Sequence, residues 1–183
     1  WVADQELAAV IAGSCADGID LPSVDLDYRA TCRHAATMLM QKGHRQIALL
    51  LPGSSHGGDV ESEHGFREAF TTSNATPILL QHHETAEQVV EQLDVLLMRK
   101  PAPTAFVVAR SIHTLTVITH LLRSGYKLPR DFAVVSRDDD AFLEHVVPRV
   151  TRYSADAAKF AKRLSKLVLE LAQTGRTSTK PVR

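Results

Sequence analysis

The sequence predicts an α/β fold with a parallel, doubly wound sheet, and three observations carry that prediction. Four apolar runs, Ile47 to Leu51, Ile78 to Leu80, Thr104 to Val108 and Phe132 to Val135, lack the polar alternation of a half-exposed strand and read as strands buried on both faces. The intervals between them hold amphipathic stretches of helical length, approximately 59–72, 86–99 and 112–124. Crossovers of that length force neighbouring strands to run parallel with right-handed connections.

Taken in order, Leu7 to Ala12 is a short apolar run closed by Gly13-Ser14, and it suits a buried strand. Leu21 to Leu26 reads as a second short extended piece. Asp27 can cap the first helix, along which Ala30, Cys32, Ala35, Ala36, Leu39 and Met40 recur at helical spacing until Gly43 supplies a left-handed stop. The repeating strand and helix units follow. After the fourth strand, Ala155, Ala158, Phe160, Ala161, Leu164, Leu167, Val168 and Leu171 mark an amphipathic helix ending at Gly175. Its Lys159, Lys162, Arg163 and Lys166 form the solvated polar face of a packed helix. The polar stretch 176–183 stops without completing an element and is expected to continue.

Composition narrows the function. With 183 residues, 44% of them hydrophobic and 23% charged, the chain can fill one core or two small lobes. No apolar run approaches the roughly 18 residues of a membrane span. Lys plus Arg equal Asp plus Glu at 21 each, so there is no net field to hold a polyanion, which argues against nucleic-acid binding by this stretch alone. Cys15 and Cys32 are too few for a disulfide framework and read as reduced core residues. The opening Trp1-Val2-Ala3-Asp4-Gln5 has no basic region followed by an apolar core, so no signal peptide is expected.

In an open parallel sheet, ligands bind beyond the strand carboxyl ends, where helix starts and turning loops converge. Here those loops are 52–58, Gln81-His82-His83, Ala109-Arg110-Ser111 and Ser136-Arg137-Asp138-Asp139-Asp140. Three consecutive aspartates invite a magnesium site for phosphoryl transfer or hydrolysis, but adjacent carboxylates point in different directions and equally suit the cap of a following short helix. His82-His83, His56 and His64 lack the spacing of a zinc site. Gly53, Gly57 and Gly58 lack the Lys-Ser or Lys-Thr of a phosphate loop, and no Gly-x-Ser-x-Gly elbow is present. No metal or cofactor is called for. Arg110 and Arg137 at neighbouring strand ends would repel each other unless Asp138 to Asp140 or an anionic ligand offsets them.

Specific strings then carry a resemblance: Pro22-Ser23-Val24-Asp25-Leu26-Asp27, Gly43-His44-Arg45-Gln46-Ile47-Ala48, Gly65-Phe66, Pro103-Thr104-Ala105-Phe106, Gly125-Tyr126-Lys127-Leu128-Pro129, and Phe132-Ala133-Val134-Val135 with Asp138-Asp139. In this order and spacing the chain resembles the effector-binding domain of the lactose-repressor/galactose-repressor (LacI/GalR) family of bacterial transcription regulators. The resemblance implies a periplasmic-binding-protein type I fold of two lobes around a cleft. Residues 1–43 would be the remnant of the N-terminal lobe, 44–152 the C-terminal lobe and 153–183 a helix returning to the first lobe. It also implies a helix-turn-helix headpiece upstream, a homodimer, operator DNA as partner, a small-molecule effector (a sugar, nucleoside or anionic derivative), a cytoplasmic location and no enzymatic activity. The alternative with the same fold is a periplasmic solute-binding protein.

The residues expected at the effector are Asp138, Arg110, Arg137, His56 and Ser62. Three places depart from the family's pattern. Ser62 stands where the family usually has an arginine, Arg110-Ser111 where it has Asn-Asp, and Ser136-Arg137 where it has glycine and an aromatic. Asp138 keeps the family's ligand-contacting chemistry, and the departures leave two expectations open, a preference shifted towards an anionic effector or a cleft that has lost its effector.

Overall fold

The computed structural model describes residues 8–15, 18–83 and 85–175. In chain order the elements are β1 (Ile11–Ala12), β2 (Ser23–Val24), α1 (Tyr28–Gln41), β3 (Gln46–Pro52), α2 (Gly57–Glu68), β4 (Thr76–His82), α3 (Ala86–Leu97), β5 (Ala105–Val108), α4 (Ser111–Arg123), β6 (Ala133–Ser136), a 3-10 helix (Ala141–His145), β7 (Thr151–Arg152) and α5 (Ala157–Thr174). The start of the strand expected from Leu7 and the stretch 176–183 lie outside the described residues, as does the Trp1 to Gln5 opening. The four apolar runs are all strands, and all are parallel in the order β4-β3-β5-β6-β7. The doubly wound parallel sheet is therefore present, with a fifth strand that the sequence did not announce.

Alternation along the central strands explains why no polar residue interrupts them. Ile47, Leu49 and Leu51 of β3 and Ala105 and Val107 of β5 enter one core, with Cys32, Ala35, Ala36 and Leu39 of α1 and with Phe66 of α2. Ala48, Leu50, Phe106 and Val108 enter the other, with Val89, Leu93 and Leu96 of α3 and Val117 and Leu121 of α4. Each strand residue leaves water on whichever face it points to, which stabilises by about 1.5–3 kcal/mol per large aliphatic side chain. Gly65 shows what lets α2 lie so close. A Cβ there would stand 1.9 Å from the Arg29 carbonyl oxygen, so only glycine admits this approach of α2 to the start of α1.

Packing divides the chain into two units. The larger holds Tyr28–Ser54 and Glu61–Ser154; the smaller holds Trp1–Asp27, Ser55–Val60 and Ala155–Arg183. Helix α1 therefore packs with the five-stranded sheet, whereas the sequence boundary at residue 43 groups it with the preceding segment. Its face of Cys32, Ala35, Ala36 and Leu39 is small enough to sit flat on β3 and β5. In the smaller unit β1 pairs with β2, and α5 packs on β2. Asp156 caps α5 by accepting from the Lys159 N–H at 3.0 Å, and Gly175 closes it with φ 65°. Cys32 is buried as expected. Cys15 is only half-buried, and neither cysteine forms a disulfide. Among the described residues no helix is long and apolar enough to cross a membrane.

Candidate functional site

β3, β5 and β6 end side by side, and the residues just past them carry the polar chemistry of the larger unit. The Arg137 N–H donates to the Val108 carbonyl at 2.8 Å, extending the ladder one step beyond β6 and fixing where its side chain starts. That side chain is 1% exposed. Its Nε donates to Asp138 Oδ1 at 2.9 Å, Nη2 to Asp138 Oδ2 at 3.3 Å and Nη1 to Ser62 Oγ at 2.8 Å. The guanidinium carbon lies 4.1 Å above the centre of the Tyr28 ring. A buried cation without partners costs several kcal/mol, and here a forked carboxylate, a hydroxyl and an aromatic face offset that cost.

Asp138 is held from both its backbone and its side chain. Ser136 Oγ donates to the Asp138 carbonyl at 2.7 Å and accepts from Thr114 Oγ1 at 3.0 Å. Thr114 is in turn fixed by the Arg110 carbonyl, which accepts from its N–H at 2.9 Å and from its hydroxyl at 3.1 Å. Arg110 sits at the N-cap of α4, and its Nη1 reaches to 3.8 Å from Asp138 Oδ2. The two side chains are 32% and 25% exposed, so this end of the cluster meets solvent where Arg137 does not. One carboxylate is thus bracketed by two guanidiniums.

The other two aspartates go elsewhere. Asp139 accepts from Arg152 Nε at 2.5 Å, and Arg152 also reaches Glu144 at 3.1 Å. Asp140 occupies the N-cap position of the 3-10 helix, but its carboxylate accepts from the Ser111 hydroxyl and not from the helix backbone. Each carboxylate therefore turns towards its own donor, and none of the three shares a focus with another, which is the divergence expected of consecutive residues leaving a strand. Among the described residues no group of three His, Cys, Asp or Glu could hold a metal ion. His82 is buried against the ring of His113, centroids 4.2 Å apart, while His83 is exposed.

Of the residues singled out from sequence, Arg110, Arg137, Asp138 and Ser62 come together. His56 packs with the smaller unit, where its carbonyl accepts from the Asp59 and Val60 N–H groups at the start of α2. Sequence reasoning missed Tyr28 and the Thr114–Ser136 bridge. Thr114 left a signal, since it lies one helical turn after Arg110; Tyr28 left none, because only the fold brings it to Arg137.

Comparison with known proteins agrees with this architecture. A family model described as a periplasmic binding protein-like domain matches residues 37–183. The HTH-type transcriptional regulator CelR of Thermobifida fusca is 30% identical over 163 residues, covering 87% of this chain and 47% of that protein. A crystal structure described as transcriptional regulator LacI from Bacillus cereus subsp. cytotoxis NVH 391-98 superposes with a TM-score of 0.89 at 20% identity, over 99% of this chain and 66% of that one. A LacI family transcriptional regulator from Enterococcus faecium with bound ribose gives 0.83 at 19% identity, over 100% and 68%. At these identities the two structures speak for the fold alone. The chain spans about half the length of the curated relatives it matches.

Proposed function

The chain belongs to the periplasmic binding protein-like domain family, in the form carried by LacI-type transcriptional regulators, and from that premise we propose that it is the effector-sensing portion of such a regulator. In this reading it is not an enzyme. It works in the cytoplasm as part of a homodimer and reaches operator DNA through a headpiece elsewhere in the protein. Ligand binding at the strand carboxyl ends shifts the population of conformations that set the spacing of two headpieces.

The bracketing of Asp138 between Arg110 and Arg137 supports an anionic effector such as a sugar phosphate or sugar acid. A carboxylate in that position ordinarily accepts bonds from ligand hydroxyls. Here its oxygens already accept from Arg137 and face Arg110, so a neutral polyol competes with internal bonds. The partly exposed guanidinium of Arg110 suits an anionic oxygen. Asp138 and Arg110 are the contacting residues in this proposal. Arg137 and Ser62 position them. The carbohydrate class fits the ribose found in the Enterococcus faecium regulator.

The test is thermal-shift screening of the chain with glucose 6-phosphate, ribose 5-phosphate and gluconate against glucose and ribose. Stabilisation by the anions, lost in Arg110→Ala, is the expected result. Equal stabilisation by neutral and anionic sugars would overturn the anionic reading. Stabilisation by none of them would leave the strand-end site without its ligand class.

A further inference from the structure

A recess opens at the opposite end of the same sheet, and nothing in the effector proposal uses it. β7 has two residues and pairs only with Val135 and Ser136. Among the described residues the chain from Pro148 to Val150 pairs with no strand, so the first half of β6, Ala133 and Val134, has no strand neighbour on that edge and is half-buried instead of buried. Between this edge, the end of α1 and the Pro148 to Thr151 segment lies a cavity of about 540 Å³. That volume is within the range of small-molecule sites, roughly 300–1,000 Å³.

Its lining is of two kinds. Leu39, Phe132, Val134 and Val135 form an apolar floor, and Lys42, His44 and Arg149 stand around it. Among the described residues no aspartate or glutamate lines the cavity. Arg29, Arg67, Arg110, Arg130, Arg137 and Arg152 each have a carboxylate within 4 Å, as the ion pairs show. Lys42 and Arg149 make no ion pair among the described residues. Arg45, Arg99, Arg123 and Arg163 likewise make no ion pair among the described residues, so what sets the recess apart is that, of the charged side chains, basic ones alone stand around an apolar floor.

We propose that this cavity is a second small-molecule site, separate from the strand-end site, that takes an organic monocarboxylate with an apolar body. The body leaves water against the half-buried β6 edge at Ala133 and Val134 and against Leu128 and Met38. The carboxylate sits at the rim, where the Arg149 guanidinium can pair with it in a fork and the Lys42 ammonium adds a second donor. A doubly charged phosphate ester makes poor use of the floor, and a neutral hydrocarbon makes none of the rim. The recess is too small for a folded partner, and its charge selects the sign of the ligand head.

Octanoate is a suitable probe, titrated into the chain by calorimetry with octanamide as the neutral control. Saturable one-to-one binding of octanoate is expected, at least tenfold tighter than octanamide, and weakened at least tenfold by Lys42→Glu with Arg149→Glu. Both substituted positions are exposed, so the variant should keep its circular dichroism and melting temperature. Shortening the probe to hexanoate should weaken binding about fourfold per methylene removed, as burial of each methylene requires. Ala133→Phe, which fills the cavity, should abolish binding without loss of stability, and Arg110→Ala at the other end of the sheet should leave it unchanged. Absence of saturable binding, equal binding of octanamide, or binding unaffected by the charge reversal would each overturn the proposal.

Discussion

At its carboxyl end β6 runs into Arg137, whose guanidinium is buried and matched by Asp138, Ser62 and the Tyr28 ring, whereas its amino end borders a recess around which Lys42 and Arg149 have no carboxylate partner among the described residues. The difference follows from solvent access. A cation that the fold removes from water must be given partners by the same fold, because its desolvation is otherwise uncompensated. A cation left at a rim keeps its water and needs none. The carboxyl end therefore carries stability as well as the proposed effector contacts, while cations at the amino end are free of any duty in folding.

Removing the buried cation should produce the largest effect. Arg137→Ala leaves Asp138 and Ser62 facing a void, and a loss of about 3 kcal/mol in urea unfolding is expected, at the lower end of the range for breaking a buried pair because Asp138 is a quarter exposed. Arg137→Met with Asp138→Leu removes both charges and should recover most of that loss. If the single change costs under about 1 kcal/mol, Arg110 and solvent suffice for Asp138, and the contrast between the two ends of β6 disappears.

Arg110→Ala tests the same carboxylate from its exposed side. With Arg110 32% exposed and the charges 3.8 Å apart, the cost should stay at or below about 1 kcal/mol. Unfolding of this variant beside Arg137→Ala sharpens the comparison: two guanidiniums face one carboxylate, and burial alone separates them. A cost for Arg110→Ala equal to that of Arg137→Ala would show that the cluster acts as one network. Lys42→Ala and Arg149→Ala should be smaller still, within about 0.5 kcal/mol of the parent, as for surface positions without partners.

What the sequence made legible follows the same division between packing and polar detail. The four strands were readable because both faces of each are apolar, and the runs at Ile47 and Thr104 lie within a residue or two of the observed strands. β7 was not, since two residues that pair through the backbone leave no hydrophobic pattern. Gly65 was picked out only through its place beside Phe66, and the reason for it, contact with the Arg29 carbonyl, is tertiary. At the site, Ser62 and Arg137 read as two independent departures from the family's pattern. In three dimensions they are one: Arg137 Nη1 stands 2.8 Å from Ser62 Oγ, so a guanidinium borne by the residue just past β6 reaches the place where the resemblance expects an arginine on α2. Sequence spacing carries no information about such an exchange. The aspartate run was legible as divergent, but its partners Arg152 and Ser111 were not.

The smallest effect concerns pH. His44, at the rim of the amino-end recess, is held below its ordinary pKa of 6.5, first by burial and then by the charge of Lys42. Its Nδ1 lies 2.9 Å from Thr104 Oγ1. A depressed folded-state pKa means that the unfolded chain binds the proton first as pH falls, so in the interval below 6.5 the unfolded state holds more protons than the folded one. Stability therefore rises with pH across that interval. It is unaffected by His44 above 6.5, declines as pH drops through the unfolded value towards the folded one, and levels off once both states are protonated. His44→Gln should flatten this part of the acid slope while leaving stability at pH 8 nearly unchanged, measured as urea midpoints from pH 5 to 8. Lys42→Ala should flatten it only in part, because burial is the larger cause and survives the substitution. If Lys42→Ala removed as much of the slope as His44→Gln, charge and not burial would dominate at the amino end of β6, and the recess would be more enclosed to its cations than their exposure indicates.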